Sequence, residues 1–318
     1  MEEKRKPLLI VLLGPTAVGK TKVAIGLANH FNTCVLSSDS RQFYKQMDIG
    51  TAKPGAEELA AAAHHFIGFL DINENYSAGK FEKDALDFLD EHFKSNEVAV
   101  MAGGSGLYAE AVCEGFDALP SDDLTRQNLI QLFEEQGLET LQSMLYEADP
   151  VYYDMVDRKN PQRIIRALEV IKLSGKPYSE QRSGKTASRH FNCIKIALDM
   201  PRELLNARID DRVLEMMKDG LLEEVKSLYN QRELNALKSV GYQELFDYLD
   251  GKCTLEEAIA EIQKNTRRFA KRQLTWLRRM PDLHWVNMSS DDRAVKEICK
   301  LVEDYIAGQT LQQSLMQE

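Results

Sequence analysis

The sequence predicts an α/β protein: a parallel-sheet core carrying a phosphate-binding loop, interrupted by a mainly helical insertion and completed by a helical C-terminal part. Three observations predict it. A short apolar run at 8–13 ends in Gly14-Pro15-Thr16-Ala17-Val18-Gly19-Lys20-Thr21, which meets the pattern G-x-x-x-x-G-K-[ST] at every position. Strand-like and helix-like segments alternate through the first third, the βαβ rhythm of a parallel sheet covered by helices. After Leu119-Pro120-Ser121 the pattern turns helical and charged, until a strand-like alternation returns at 193–199.

Each element follows from its local pattern. The run at 8–13 continues straight into the loop, so it reads as a buried strand and not as a signal peptide. In the loop, glycine lets backbone N–H groups curl around a polyphosphate, Lys20 reaches the outer phosphates and the Thr21 hydroxyl suits magnesium. A helix at 20–31 then aims its N-terminus at the anion. This is a P-loop NTPase-like core, with Gly14, Pro15, Thr16, Ala17, Val18, Gly19, Lys20 and Thr21 as candidate diphosphate ligands. The second strand, 33–37, runs into Asp39-Ser40-Arg41-Gln42 and places Asp39 past its carboxyl end, where open α/β sheets meet their ligands. A carboxylate there accepts a proton from an attacking amine or hydroxyl; a turn or N-cap aspartate is an equal alternative.

A helix at 77–93, capped by Ser77, leads to a strand at 98–102 that ends in Gly103-Gly104-Ser105-Gly106-Leu107-Tyr108. Such a turn brings backbone close to a ligand and presents the Ser105 hydroxyl at the same edge. No acid closes this strand, as an ATPase requires. Asp199 is the next candidate for that role and reads better as a strand end before a helix at 202–219. Within the insertion, Asp149-Pro150 and Asn160-Pro161 mark helix starts, and Gly175-Lys176-Pro177 with Ser183-Gly184-Lys185 mark a loop. The expected domains are 1–119 with 191–318 for the core and 120–190 for the insertion. Helices at 221–230, 242–249 and 254–279 follow, with a last strand near Trp285-Val286. Arg208 and Arg212 share one helix face, either to close over the diphosphate or to pair with Asp210, Asp211 and Glu215.

Composition narrows the function. The chain has 318 residues and a net charge of -10, which argues against a generic nucleic-acid coat protein. The charge is nonetheless clustered. Residues 158–189 hold nine basic side chains against Glu169 and Glu180, and 264–279 hold seven with no acid, around Phe269 and Trp276. Two such tracts in an acidic chain favour a polyanionic partner. The five cysteines are scattered without a C-x-x-C pair, pointing to a reducing compartment and no zinc site. His64-His65 has no partner at metal spacing, so satisfied or exposed imidazoles are expected. No apolar run approaches the roughly 20 residues that span a bilayer, and a cytoplasmic monomer without a membrane is expected.

Several motifs taken together resemble the bacterial tRNA dimethylallyltransferases. They are the phosphate loop, Asp39 to Gln42, Met47-Asp48-Ile49-Gly50-Thr51-Ala52-Lys53-Pro54, Gly103 to Tyr108 and Asn160-Pro161-Gln162-Arg163-Ile164-Ile165-Arg166-Ala167-Leu168-Glu169. Gly220-Leu221-Leu222-Glu223-Glu224-Val225, Val240-Gly241-Tyr242 and Lys271-Arg272-Gln273-Leu274-Thr275-Trp276-Leu277-Arg278 complete the set, in family order over about 8–286. Ser105 stands where many members carry Thr, which keeps the hydroxyl, and the zinc-finger extension of eukaryotic members is absent.

The resemblance implies transfer of the dimethylallyl group of dimethylallyl diphosphate to N6 of adenine 37, beside the anticodon, in tRNAs reading codons that begin with U. It implies Asp39 as base, Ser105 as an orienting group, Lys20 and Thr21 with Mg2+ at the leaving diphosphate, and Arg212 beside them. It places Asp39, Ser40, Arg41, Gln42, Ser105, Arg126, Gln162, Arg163, Ile164, Ile165, Arg166, Lys238, Gly241, Tyr242 and Gln243 against the anticodon stem-loop, with the target base extruded. The alternatives are a P-loop nucleotide or small-molecule kinase, which would not need two basic tracts, and a non-catalytic RNA-binding module, which would not need Lys20, Thr21 and Asp39.

Overall fold

The computed structural model describes residues 5–117, 119–182 and 187–315. The chain runs β1 (Leu8–Leu13), α1 (Lys20–His30), β2 (Val35–Ser37), α2 (Ala56–Ala61), β3 (His64–His65), α3 (Ala78–His92), β4 (Val98–Gly103) and α4 (Gly106–Glu114). The insertion then adds α5 (Asp123–Gln136), α6 (Leu138–Ala148), α7 (Pro150–Met155), α8 (Pro161–Ser174) and α9 (Tyr178–Gln181). The core resumes with β5 (Asn192–Asp199), α10 (Arg202–Lys218), α11 (Leu221–Ser227), α12 (Tyr242–Leu249), α13 (Leu255–Leu277), β6 (Leu283–Asn287) and α14 (Asp291–Leu315).

The strands form one six-stranded sheet in the order β3-β2-β4-β1-β5-β6, parallel at every pairing. The expected P-loop-type α/β core is therefore what the chain forms. β1 is central and every one of its residues is buried, because helices cover both faces. Its side chains alternate between two cores: Leu9, Val11 and Leu13 enter one, Leu8, Ile10 and Leu12 the other. The first core gathers Phe81 and Leu89 of α3 with Val112 of α4 and Leu245 of α12. The second gathers Val23 and Leu27 of α1, Ile209 of α10, and Ile298 and Val302 of α14.

Elements outside the expected pattern have local reasons. β3 spans two residues and α2 six, too short for a period to register. α14 does carry a readable signal beyond the expected elements, since Ala294, Ile298 and Val302 recur at helical spacing and all are buried. Among the described residues no helix is long and apolar enough to cross a membrane.

The chain divides into two compact units, Gly115–Ala187 and the remainder. Expected limits of 120–190 place Arg189 in the insertion, yet its guanidinium donates to the Val112 and Ala111 carbonyls and pairs with Glu82, all in the larger unit. The smaller unit is a helical cluster around Leu129, Leu141, Leu145, Ile164, Ile165 and Leu168. Three of its helices, α5, α7 and α8, begin at aspartate or asparagine caps: Asp122 accepts from Thr125 N–H, Asp149 from Tyr152 N–H and Asn160 from Arg163 N–H. Asp149 also accepts from the Ser179 N–H and hydroxyl, which satisfies a buried carboxylate. Ser183, Gly184 and Lys185 of the expected loop lie outside the described residues.

Candidate active site

β4 lies between β2 and β1, so three neighbouring strands release Asp39, the Gly103-to-Ser105 turn and the phosphate loop at one sheet edge. Strand spacing of about 4.8 Å puts the ends of β2 and β1 roughly 10 Å apart, room for one small group between them.

The loop curls as its sequence demands. Ala17 adopts φ 65°, a left-handed conformation that costs a non-glycine residue about 1 kcal/mol. Lys20 Nζ donates to the carbonyls of Gly14 (3.0 Å) and Pro15 (2.8 Å). Burial pushes the Lys20 ammonium down to about 8, with the Asp39 carboxylate opposing that shift and Arg212 adding to it. Arg212 Nη1 lies 3.5 Å from Thr16 Oγ1 and Arg208 Nη1 3.4 Å from the Val18 carbonyl, so α10 brings two guanidiniums to the same loop. Burial also lowers the Arg212 pKa, opposed first by Asp39. Three cations thus converge on one loop with Asp39 as the nearby counter-charge, an excess that a polyphosphate would neutralise.

Asp39 serves two purposes. Its Oδ1 accepts from the Arg41 N–H (3.1 Å) and its own N–H donates to Ser37 Oγ (3.3 Å), so the turn-aspartate alternative describes part of its role. The same residue lines an open cleft with Lys20 and Thr21, whose lining includes the apolar Ala24, Val35, Pro54 and Ile67 beside Ser37, Gln42 and His64. Ser105 Oγ accepts from the Ser40 N–H (3.2 Å) and lies 3.1 Å from the Ser40 hydroxyl, which fastens the turn after β4 to the segment after β2.

The donor set fits magnesium in one manner. No group of three or more His, Cys, Asp or Glu residues could hold a metal among the described residues. Magnesium keeps water and phosphate oxygens and takes few protein ligands, so the Thr21 hydroxyl at the cleft is the residue suited to hold it.

Several expected RNA-facing residues face protein instead. Ile164 and Ile165 are fully buried in the insertion core, because α8 needs them for packing. Tyr242 is also fully buried, its hydroxyl donating to Glu224 Oε1 (2.7 Å), and Gly241 is buried beside it. Arg41 donates to the Asn235 and Ala236 carbonyls, and Gln42 to those of Thr51 and Ala52. Arg166 donates to the Leu119 and Pro120 carbonyls and, at 2.9 Å, to Glu169; Arg126 reaches Glu169 at 3.4 Å and Gln162 at 3.3 Å. Gln162, Arg163, Lys238 and Gln243 are exposed. In the second basic tract Arg267 pairs with Asp210, while Lys271, Arg278 and Arg279 are exposed and Arg272 lies over the exposed Phe269 ring. Trp276 is half-buried.

Two residues of the site fall outside the sequence expectations. His64 lines the cleft: its Nδ1 donates to the Ala62 carbonyl (2.8 Å), which leaves Nε2 buried without a partner, not satisfied as expected. In the neutral ring that nitrogen is an acceptor. No sequence pattern around His64 announces this. Gln273, buried on α13, contacts both the phosphate loop and the turn after β4; in the sequence it is visible only as one letter in a basic motif.

Comparison with known proteins gives the same direction throughout. The family model described as IPP transferase matches residues 42–280. The tRNA dimethylallyltransferase of Christiangramia forsetii is 51% identical over 288 residues, 90% of this chain and 95% of that one. The protein of the same name from Flavobacterium johnsoniae is 48% identical, over 89% and 94%. Among solved structures, the full-length tRNA isopentenylpyrophosphate transferase of Bacillus halodurans superposes with a TM-score of 0.70 at 37% identity, covering 98% of this chain and 99% of that one. A eukaryotic dimethylallyltransferase acting on tRNA superposes with a TM-score of 0.80 at 25% identity, covering 95% and 80%.

Proposed function

The chain belongs to the IPP transferase family, and from that premise we propose how its cleft works. It is an enzyme that transfers a dimethylallyl group to tRNA. The donor is dimethylallyl diphosphate and the acceptor is N6 of adenine 37, in tRNAs reading codons that begin with U. The carrying observation is that three adjacent strands release Asp39, the turn that bears Ser105 and the phosphate loop at one sheet edge, where Lys20, Thr21, Asp39 and Gly103 line one cleft together with the apolar Ala24, Val35 and Ile67.

The diphosphate lies on the N–H groups of the loop, with Lys20 and Arg212 meeting its charge. The five-carbon chain turns toward Ala24, Val35 and Ile67. The adenine amine enters beside Asp39. As the C1–O bond breaks, the N6–C1 bond forms, the N6 proton passes to the Asp39 carboxylate, and the electron pair of the broken bond leaves with diphosphate. Charge grows on the departing diphosphate, so a buried, pre-oriented set of donors stabilises the transition state more than the ground state. Magnesium, when held at Thr21, supplies further neutralisation of the leaving group. Exposed Arg163 and Gln162 of the insertion meet the RNA backbone. The enzyme works in the cytoplasm as a monomer.

The kinase alternative needs an acidic residue at a strand end beside the loop: β4 ends in Gly103, and Asp199, which ends β5 on the other side of β1, spends Oδ1 on the Met200 N–H at 2.8 Å. Unmodified tRNA and radiolabelled dimethylallyl diphosphate, followed by nuclease digestion and nucleoside analysis, test the reading. Prenylated adenosine is expected. Consumption of ATP with a small acceptor and no prenylated nucleoside would overturn it.

A further inference from the structure

Gln273 is a buried polar residue on α13, 9% exposed, and its amide is used at both ends. Oε1 accepts the Thr16 N–H at 2.9 Å, and Nε2 donates to the Gly104 carbonyl at 2.9 Å. A Cβ at position 104 would stand 2.5 Å from Nε2, so the glycine there is what admits the contact. The ladder between β1 and β4 ends at Leu13 opposite Gly103. Beyond that pair the backbone no longer fixes the separation of the phosphate loop from the turn that carries Ser105. One side-chain amide takes over.

We propose that Gln273 is a positioning residue for group transfer, setting the separation between the leaving-group loop and the acceptor-orienting turn; this rests on the functional reading above. Each half of the site binds its ligand with its own groups. What Gln273 supplies is their mutual distance, and a misplacement of about 1 Å between reacting groups costs on the order of 100-fold in rate. The chemistry of the position is specific. An amide both accepts and donates in one plane; an ionised carboxylate only accepts, and a thioether donates nothing and accepts only weakly.

The test compares Q273M and Q273E with the wild type in single-turnover and steady-state assays from pH 6 to pH 8. For Q273M, a kcat loss on the order of 10- to 100-fold is expected, with donor KM and RNA Kd within about threefold. In Q273E the ionised carboxylate would keep the Thr16 contact and set oxygen against the Gly104 carbonyl. Its protonated form would restore both bonds, and burial raises that pKa. The Q273E rate relative to wild type should therefore climb as pH falls, while the Q273M ratio stays flat. Lys20, Asp39 and Arg212 face the same loop and turn in all three proteins, and the Q273M profile, which adds no charge, is the reference against which the Q273E profile is read.

A flat Q273E ratio, an unchanged Q273M kcat, or a Q273M loss confined to donor KM would overturn the proposal. Gly104→Ala, whose methyl presses on Nε2, should reproduce the Q273M defect without touching position 273. Hydrogen exchange supplies an arm independent of turnover: peptides covering 14–21 and 103–108 should both exchange faster in Q273M. Acceleration in one alone, or in neither, contradicts the link. A wild type that fails to prenylate RNA sinks the functional reading, and the exchange result still decides the link.

Discussion

The strand-end cleft and the insertion meet negative charge by opposite means. At the cleft, two cations are fixed: Lys20 is bonded to the carbonyls of its own loop, Arg212 leans on the same loop, and burial makes the charge of both costly until an anion arrives, while the exposed Arg208 reaches the Val18 carbonyl. In the insertion, Arg163, Lys159, Lys172 and Lys176 stand in solvent, whereas Arg166 and Arg126 hold a buried glutamate. The difference teaches that a count of basic residues does not measure an RNA surface. On the proposed reading, fixed cations meet the diphosphate, exposed cations meet the RNA backbone, and Arg166 and Arg126 hold Glu169 instead.

Four tests bear on that contrast, in decreasing expected effect. Asp39→Ala should lower single-turnover prenylation by about 100- to 10,000-fold, the range for removing a general base, while tRNA retention on filters persists. Loss of RNA binding in the folded variant would make Asp39 a binding residue. Next, Lys20→Met should weaken diphosphate binding by on the order of 10- to 100-fold, measured calorimetrically. Lys20 also gives a sign for pH. Its pKa is depressed to about 8 in the free protein and an anion favours the charged form, so wild-type affinity should fall as pH rises through about 8, by at most about tenfold per unit. Lys20→Arg stays charged, and its profile removes the ionisation of diphosphate itself. Parallel profiles would mean that Lys20 is not the titrating group.

The two arginines of α8 then separate the insertion's functions. Arg166→Ala removes the nearer partner of Glu169, which is 1% exposed, and should destabilise the insertion by about 1–3 kcal/mol in a denaturation experiment, Arg126 remaining as the second partner. An unchanged midpoint would return Arg166 to the RNA-facing set. Smallest is Arg163→Gln with Lys159→Gln: about 1.4 should be lost from the slope of log affinity against log salt, at roughly 0.7 per phosphate contact on single-stranded RNA. An unchanged slope would remove the α8 N-terminus from the backbone contact.

The sequence made the large elements legible where one period dominates. Leu8–Leu13, Lys20–His30 and the helix starts at Asp149 and Asn160 follow from apolar continuity, loop spacing and caps. The positions of Asp39 and Ser105 were legible, because each follows closely on an apolar strand, β2 and β4. The site was illegible where the partner comes from far along the chain. Glu169 lies only 3 and 43 residues from Arg166 and Arg126, but nothing in those letters shows that its carboxylate is buried. Gln273 reaches Thr16 across 257 residues, and His64 acquires its cleft from a two-residue edge strand. Burial turned Ile164, Ile165 and Tyr242 inward, a property that motif matching does not encode.

We infer that the donor occupies the cleft of Lys20, Thr21 and Asp39, and not the second pocket lined by Asp48, Lys53, Arg212 and Asp219. A crystal structure with magnesium and an unreactive thiodiphosphate analogue of the donor tests it most directly. Diphosphate is expected on the N–H groups of Ala17, Gly19, Lys20 and Thr21, with C1 facing Asp39 and the five-carbon chain against Ala24, Val35 and Ile67. A chain seated among Asp48, Lys53 and Asp219, with C1 turned away from Asp39, would contradict it.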